Sequence, residues 1–306
     1  MIDRLQTLDL HFQDRPNTIA SYLLPHDDGA ALVETGPGST AAMLQARLAE
    51  NGLTPNDVSE VLLTHIHLDH AGAAGWLASD HGATVYVHEI GASHLADPER
   101  LLKSARRIYG DEMDTLWGEM RPVPEDQVVS LSDGDTLDLG ALSAEALDTP
   151  GHASHHLAYV IGDVCFTGDV GGVRLPGESY VELPLAPPEI DLEAWRGSLA
   201  RLRDAIQRHD VTHLAPTHFG VYDDVVAHLD RLEAAIDRAD AWAEETLPDV
   251  ADDEEALREA TTNWMREQAA ADGVDDATWK LYELANPSWM AALGLRRYRE
   301  STLQSS

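Results

Sequence analysis

The chain has 306 residues, with 21 Lys+Arg against 54 Asp+Glu and a formal net charge of −33. Hydrophobic residues make up 43% of it. This is enough to build a sizeable core, so disorder is excluded as the overall description despite the charge. The acidity also disfavours a DNA or RNA partner, because a polyanion requires a basic surface.

The basic residues include only two lysines, Lys103 and Lys280. Many carboxylates with so few lysines are typical of proteins from salt-loving archaea, in which concentrated salt screens the self-repulsion. Cys165 is the sole cysteine, so neither a disulfide framework nor a thiolate-rich zinc site is expected within one chain.

The amino terminus has acidic residues where a signal peptide needs a basic start, and no segment is apolar enough to span a membrane. We therefore expect a soluble, cytoplasmic protein that acts on a small molecule, without a nucleic-acid or membrane partner. Assembly as a homodimer is an expectation that the sequence leaves open.

The first elements in chain order are a hairpin, a helix and a buried strand. Apolar runs at 18–24 and 30–33 flank the turn His26-Asp27-Asp28-Gly29. A helix capped by Ser39 or Thr40 follows, and the strand at 58–64 ends immediately before His65.

The middle of the chain predicts a helix near 71–79 and strands at 84–87, 136–139, 144–147, 157–161, 164–167 and 211–215. Residues 90–127 interrupt this alternation and predict a helical lid insertion of two or three helices. Asp191 is the predicted cap of an amphipathic helix at 192–207.

The carboxyl-terminal third predicts helices only. Residues 222–306 form a helical extension in this interpretation, and residues 1–221 form the catalytic domain.

The strongest chemical signal is the run Thr64-His65-Ile66-His67-Leu68-Asp69-His70. It places three imidazoles and one carboxylate directly after an apolar strand, where backbone bends can direct them at one point. Imidazoles and a carboxylate clustered this tightly would lack polar partners in a core or on a surface. The cluster therefore indicates a metal site.

Three further segments have a polar ligand type at a strand-to-loop junction, and each is weak by itself. They are Thr149-Pro150-Gly151-His152, Phe166-Thr167-Gly168-Asp169 and Pro216-Thr217-His218-Phe219-Gly220. In this order after the first motif they form a specific pattern.

That pattern resembles the metallo-β-lactamase superfamily over roughly residues 1–221, and it is more similar to glyoxalase-II-like hydrolases and lactonases than to antibiotic-destroying enzymes. It is also similar to an uncharacterised archaeal and bacterial branch that carries a stretch like Ser104 to Gly110. The resemblance implies an α+β fold, a four-layer αββα sandwich with the metals where the two sheets open. It implies a first metal held by His65, His67 and His152, a second by Asp69, His70 and His218, and Asp169 as the bridge.

Two divalent cations carry four positive charges, and Asp69, Asp169 and a bridging hydroxide carry three negative ones. The remaining charge of about +1 would stabilise an oxyanion that develops on the substrate. Paired metals also make hydroxide available at neutral pH. We therefore expect a dinuclear metallohydrolase, with zinc as the leading metal and manganese or iron as alternatives. Its substrate would be a small ester, lactone or thioester, with Asp69 positioning the nucleophile or accepting its proton.

Other classes remain open. A sulfur dioxygenase of the same fold would use a single iron, and a phosphodiesterase or ribonuclease would share the ligands, although the acidic charge disfavours it. A non-enzymatic binding module would be expected to have lost ligands, whereas all seven are present.

Departures from the family pattern concern the substrate side. The sequence has Asp169-Val170-Gly171-Gly172 where known lactonases have a tyrosine, and Cys165 is expected in the core. His156 is predicted to be structural. The candidate substrate residues are Arg106, Arg107 and Tyr109 of the insertion, together with His155. Whether the insertion or the carboxyl-terminal helices line the site is not decided by the sequence.

Overall fold

The first of two β-sheets follows the chain from strand to strand. A computed structural model describes residues 2–140 and 142–305. The first sheet contains β1 (Gln6–Asp9), β2 (Ala20–His26), β3 (Gly29–Val33), β4 (Val58–Leu62), β5 (Thr84–His88) and β6 (Val128–Leu131) in sequential order. Strands β1 to β3 are antiparallel, and β3 to β6 are parallel.

The second sheet has the order β11-β10-β9-β8-β7. Its strands are β7 (Thr136–Leu139), β8 (Leu142–Asp148), β9 (Leu157–Ile161), β10 (Val164–Phe166) and β11 (His213–Ala215). Strands β10 and β11 are parallel and the other pairs are antiparallel. The parallel pair brings the segments that follow β10 and β11 to the same edge.

Helices cover the outer faces of both sheets. On the first sheet lie α1 (Ala41–Glu50), α2 (Leu68–Ala71) and α3 (Ala74–His81), followed by α4 (Glu89–Ala96), α5 (Glu99–Tyr109) and α6 (Met113–Trp117) of the insertion. On the second lie α7 (Leu192–Arg208), α8 (Val225–Glu245), α9 (Leu247–Val250), α10 (Glu254–Ala271), α11 (Asp276–Ala285) and α12 (Ser288–Ser305). No helix in the described part of the chain is long and apolar enough to cross a membrane.

Three buried clusters fill the spaces between these layers. Tyr22 and Tyr159 lie between the two sheets. Leu44 of α1 packs against the first sheet, and Trp195 of α7 packs against the second. The predicted α+β fold, with four layers in the order αββα, is therefore confirmed. Cys165 is buried in the outer cluster of the second sheet, as expected from the sequence.

Sequence reasoning missed two strands and misassigned one cap. Strands β1 and β6 form the two edges of the first sheet, and their short, partly exposed sequences have little apolar periodicity. Neither Ser39 nor Thr40 caps α1, because their hydroxyls donate to the carbonyls of Leu116 and Pro37. Asp191 caps α7 as predicted, accepting from the amide of Ala194 at 2.9 Å.

The carboxyl-terminal helices share the core of the second sheet. The Tyr282 hydroxyl on α11 is buried, donates to the Tyr180 carbonyl at 2.9 Å and accepts from the Leu175 amide at 3.2 Å. Asn286, between α11 and α12, donates to Glu182 Oε2 at 2.9 Å and to the Leu183 carbonyl at 3.0 Å. These buried bonds hold the helices against the loop that follows β10.

Glu182 has an unusual environment within this contact. Burial raises the pKa of its carboxyl to about 8, and the nearby Glu283 adds to the rise while Asn286 and Tyr180 oppose it. The folded state therefore keeps a proton that the unfolded chain releases near pH 4.5. Since the native state binds the extra proton between these values, stability falls as pH rises through this window and is constant above it.

Replacing this carboxyl by an amide should flatten that dependence. We expect the free energy of unfolding of the wild type to fall between pH 5 and pH 9, by as much as roughly 4–5 kcal/mol at full linkage. Glu182→Gln should show a much smaller fall, measured by urea denaturation at both values. Glu267→Gln, at an exposed position of α10, is the matched control and should behave as wild type. Identical slopes for Glu182→Gln and wild type would contradict the assignment.

Candidate metal centre

The predicted ligands meet at one edge of the sandwich because each follows a strand that ends there. His65 and His67 lie between β4 and α2, and Asp69 and His70 lie on the short helix α2 itself. The other three follow strands β8, β10 and β11 of the second sheet. They are His152, Asp169 and His218.

His65, His67 and His152 form the first set of donor atoms. His67 Nδ1 lies 2.9 Å from His65 Nε2 and 2.9 Å from His152 Nε2. The rings of His65 and His152 are buried, and His67 is partly exposed. Three imidazole nitrogens that point at one place are a suitable donor set for a divalent transition metal.

Asp69, His70 and His218 form the second set, and Asp169 lies between the two sets. His218 Nε2 is 3.4 Å from Asp69 Oδ2, and His70 Nε2 is 3.7 Å from the same oxygen. Asp169 Oδ1 is 3.2 Å from His70 Nε2 and 3.5 Å from His218 Nε2, whereas Asp169 Oδ2 is 3.3 Å from His152 Nε2. One carboxylate thus directs one oxygen at each set.

Backbone carbonyls fix the orientation of two of the rings. His152 Nδ1 is 2.7 Å from the Pro184 carbonyl, and His218 Nδ1 is 2.7 Å from the Thr18 carbonyl. A carbonyl can only accept, so each Nδ1 carries the proton and each Nε2 keeps its lone pair for the centre.

Glu34 is a candidate supporting residue of the centre that sequence reasoning missed. It is fully buried, and its Oε1 lies 3.3 Å from His70 Nδ1. The same oxygen accepts from the hydroxyls of Thr64 and of Thr217, the latter at 3.4 Å. A buried carboxylate behind a histidine ligand orients the ring and increases its basicity. Its only sequence signal is an acidic residue at the end of an apolar strand.

Helix α8 holds the two loops that carry Asp169 and His218. His228 Nε2 lies 2.8 Å from the Gly171 carbonyl, in the turn that contains Asp169. Arg174 donates its amide to the His218 carbonyl at 2.6 Å and its guanidinium to Asp224 at 2.6 Å. The amino-terminal end of α8 therefore holds the loops that carry two of the candidate ligands.

Gly168 allows these loops to approach the first motif. A Cβ on this residue would lie 2.6 Å from Thr64 Oγ1 and 2.6 Å from His156 Nε2, and its φ is +50°. Any larger residue would push Asp169 away from the centre. His156 itself pairs with Thr149 Oγ1 at 2.8 Å, which supports its structural role.

The electrostatics favour cation binding. Burial and neighbouring imidazoles hold the pKa values of His65 and His67 well below the usual histidine value, so both rings are neutral at pH 7. Burial would raise the pKa of Asp69, but His70 and His218 lower it to about 2. The Asp169 carboxyl is likewise ionised, because His70, His152 and His218 outweigh its burial. The neutral imidazoles of the first set and the ionised carboxylates are in the protonation states that metal ligands require. In the second set, burial would lower the pKa of His70 and of His218, but Asp169 and Asp69 outweigh it and raise both values. A cation bound there would therefore displace a proton from each of these two rings.

Unpaired polar atoms test whether these residues fit a metal centre. Among the residues that the structure describes, buried His70 Nε2 and Asp169 Oδ1 lie 3.2 Å apart, but neither makes a hydrogen bond of good geometry to the other or to any other group. Buried polar atoms are rarely left unpaired, since each costs about 1–3 kcal/mol. Divalent cations coordinated by the two sets would satisfy both atoms, so the residues present fit a metal centre.

The predicted substrate residues divide into two groups. Tyr109 and His155 line a cavity of about 630 Å³ that reaches the ligands, whereas Arg106 and Arg107 are exposed on α5 and do not line it. Arg100, one helical turn or more before them, does. Both the insertion and the carboxyl-terminal helices contribute to the cavity wall.

This fold and this donor set define a metal-binding protein of a largely hydrolytic class. Residues 14–218 match the family described as the metallo-beta-lactamase superfamily. The chain belongs to that superfamily.

Three relatives illustrate the range of the match. A metallo-beta-lactamase fold-containing protein of Sulfurisphaera tokodaii is 33% identical over 144 residues, 46% of this chain and 54% of that protein. A probable metallo-hydrolase of Bacillus subtilis is 30% identical over 165 residues, 51% and 71% of the two chains. A hydroxyacylglutathione hydrolase of Hahella chejuensis is 29% identical over 181 residues, 51% and 56% of the two. The alignments thus span little more than half of the first and third relatives.

Structural similarity extends further along the chain. The crystal structure of an archaeal metallo-beta-lactamase superfamily protein from Sulfolobus tokodaii has a TM-score of 0.63 at 19% identity. The superposition covers 97% of this chain and 98% of that one. The shared fold therefore includes the carboxyl-terminal helices.

Two substitutions should separate the roles of the acidic ligands. Asp169→Asn should lower metal binding at both donor sets, because the Asp169 oxygens face both of them. Asp69→Asn should lower it only at the second set, leaving about one ion per chain. Elemental analysis after dialysis against limiting zinc measures both. Equal loss in the two variants would contradict the bridging geometry.

Removing the charge behind His70 should weaken metal binding without removing a ligand. We expect Glu34→Gln to raise the metal dissociation constant about 10- to 100-fold, as is typical for partners of ligating histidines. Competition with a chelating dye measures this constant. Glu60→Gln is the control, since Glu60 pairs with His26 on the same sheet at 3.0 Å and lies outside the centre. An unchanged constant in Glu34→Gln would show that the contact is not used.

Proposed function

We propose that this protein is a dinuclear metal-dependent hydrolase that cleaves an ester, lactone or thioester bond of a small molecule. The observation that supports it most directly is the position of Asp169, whose two oxygens face two complete donor sets. A mononuclear centre would not need the second set. We further propose zinc as the leading metal, since imidazole-rich sites suit it, with manganese or iron as alternatives.

Two bound divalent cations would lower the pKa of a water molecule between them and polarise a carbonyl. The residues of the chain supply the remaining functions. His65, His67 and His152 present neutral nitrogens, and Asp69 and Asp169 present ionised oxygens. Asp69 also lines the cavity, so its carboxylate can accept a hydrogen bond from the attacking water. The water oxygen adds to the acyl carbon, the bond to the leaving oxygen or sulfur breaks, and the leaving group takes the proton.

The relatives support hydrolysis in general terms. The names of two of them are hydrolase names, one of which specifies a glutathione thioester. The bond cleaved by this chain is our proposal, because the match to those proteins is partial.

Metal content and a substrate panel test the proposal together. Protein purified without added ions should contain close to two metal ions per chain. Loaded with zinc, it should hydrolyse at least one class among esters, lactones and thioesters. Asp169→Asn should reduce kcat/KM by a factor of 100 or more with the fold intact, measured beside the exposed-site control Arg106→Ala.

Other outcomes would redirect the assignment. A single tightly held iron with oxygen uptake would replace the hydrolase by a sulfur dioxygenase. Cleavage of phosphodiesters alone would replace it by a nuclease-like activity, against the charge of the chain.

A further inference from the structure

A cavity of about 630 Å³ adjoins the candidate metal ligands. This volume lies within the range of small-molecule pockets, roughly 300–1,000 Å³. Its lining includes five of the candidate ligands, His67, Asp69, His152, Asp169 and His218. A substrate whose scissile carbonyl reaches the centre must therefore place the rest of its structure in this cavity or at its mouth.

Aromatic side chains form one continuous wall of the cavity. Phe12 stacks on Trp117 with ring centroids 5.4 Å apart, and Tyr109 meets Trp117 edge-on at 5.0 Å. Trp289 contacts Tyr109 at 6.0 Å, and the Tyr109 hydroxyl is 3.5 Å from Met290 Sδ. These residues come from three separate segments: the amino-terminal loop, the insertion and helix α12.

Aliphatic side chains of the insertion continue this surface. Ile90, Leu101, Ile108 and Leu116 line the same cavity. Ile90 is 50% exposed, so part of this apolar lining is in contact with water. A substrate with an apolar part would remove this surface from water.

The charges around the cavity disfavour an anionic substrate. Beyond the metal ligands, the lining carboxylates are Glu112, Glu189 and Glu283. Arg100 is the only arginine or lysine among the described lining residues. Bound metal ions would add positive charge only at the centre, so a leaving group whose carboxylates lie away from the centre would meet net repulsion from these glutamates.

We propose that this cavity binds the apolar acyl group of an uncharged ester or thioester, with the wall of Phe12, Tyr109, Trp117 and Trp289 as the acyl subsite. The inference rests on the proposed function and names its substrate class. It implies that a glutathione thioester is a poor substrate, whatever the names of the relatives.

Chain length is the first test. With p-nitrophenyl esters from acetate to decanoate, kcat/KM should rise about two- to fourfold per added methylene until the cavity is filled, as expected for burial of apolar surface. A flat or falling series would overturn the subsite.

Charge on the carrier is the second test. The butyryl thioester of N-acetylcysteamine, an uncharged carrier, should have a kcat/KM at least tenfold higher than the butyryl thioester of glutathione. The double variant Glu112→Gln/Glu283→Gln should reduce this preference, since it removes two lining carboxylates. Preference for the glutathione carrier would overturn the charge argument.

Variants in the wall test its role directly. Trp289→Ala should lower kcat/KM for the decanoate ester at least tenfold more than for the acetate ester. Met290→Gln, a milder change on the same helix, should shift the preference in the same direction if Trp289→Ala fails to fold. Leu281→Ala is the matched control, because Leu281 is 42% exposed on α11 and does not line the cavity. Equal losses for both esters in both wall variants would overturn the proposal.

A binding measurement separates this inference from the proposed function. The fluorescent amine N-phenyl-1-naphthylamine, uncharged at neutral pH, should bind the wild type and the Leu281→Ala variant equally, and Trp289→Ala at least fivefold more weakly. Binding of this pattern without hydrolysis of any ester, lactone or thioester would support the apolar subsite and overturn the hydrolase. Hydrolysis with equal probe binding in all three proteins would support the hydrolase and overturn the subsite.

Discussion

The carboxylate of Asp169 is the constraint on which the rest of the structure depends. It must stay ionised while buried, with one oxygen towards each donor set. A buried charge is costly unless compensated, and here the compensation comes from imidazoles on both sheets. The edges of the two sheets therefore have to converge on this residue. The close approach at Gly168, where a Cβ would collide with Thr64, is one consequence.

The helical extension contributes to both ends of the site. At its start, Asp224 and His228 hold the loops that carry His218 and Asp169. Near its end, Trp289 and Met290 face the cavity. Between them, Tyr282 and Asn286 join the helices to the loop after β10 through buried hydrogen bonds. Metal geometry and substrate access thus depend on the same packing contacts.

The family match and the cavity wall cover overlapping but different parts of the chain. The family match ends at residue 218, and it contains all seven ligands. Part of the cavity wall lies beyond that point, on α12. A fold with one metal centre can host many reactions, because the walls can vary while the ligands stay. Substrate specificity must therefore be read from the walls of each protein.

The sequence by itself predicted the seven candidate ligands, because His65 to His70 and the three later segments combine rare residue types with strand ends, and the resemblance supplied their pairing. Short-range periodicity also predicted most strands, the cap at Asp191 and the helical end of the chain. It did not predict the edge strands β1 and β6, since these short, partly exposed strands have little apolar periodicity. Only the tertiary structure decided that Glu34 supports His70, that Arg106 and Arg107 face solvent, and that Trp117 and Trp289 share one wall. These are contacts between segments far apart in the chain, and they depend on how the layers pack, which local pattern does not encode.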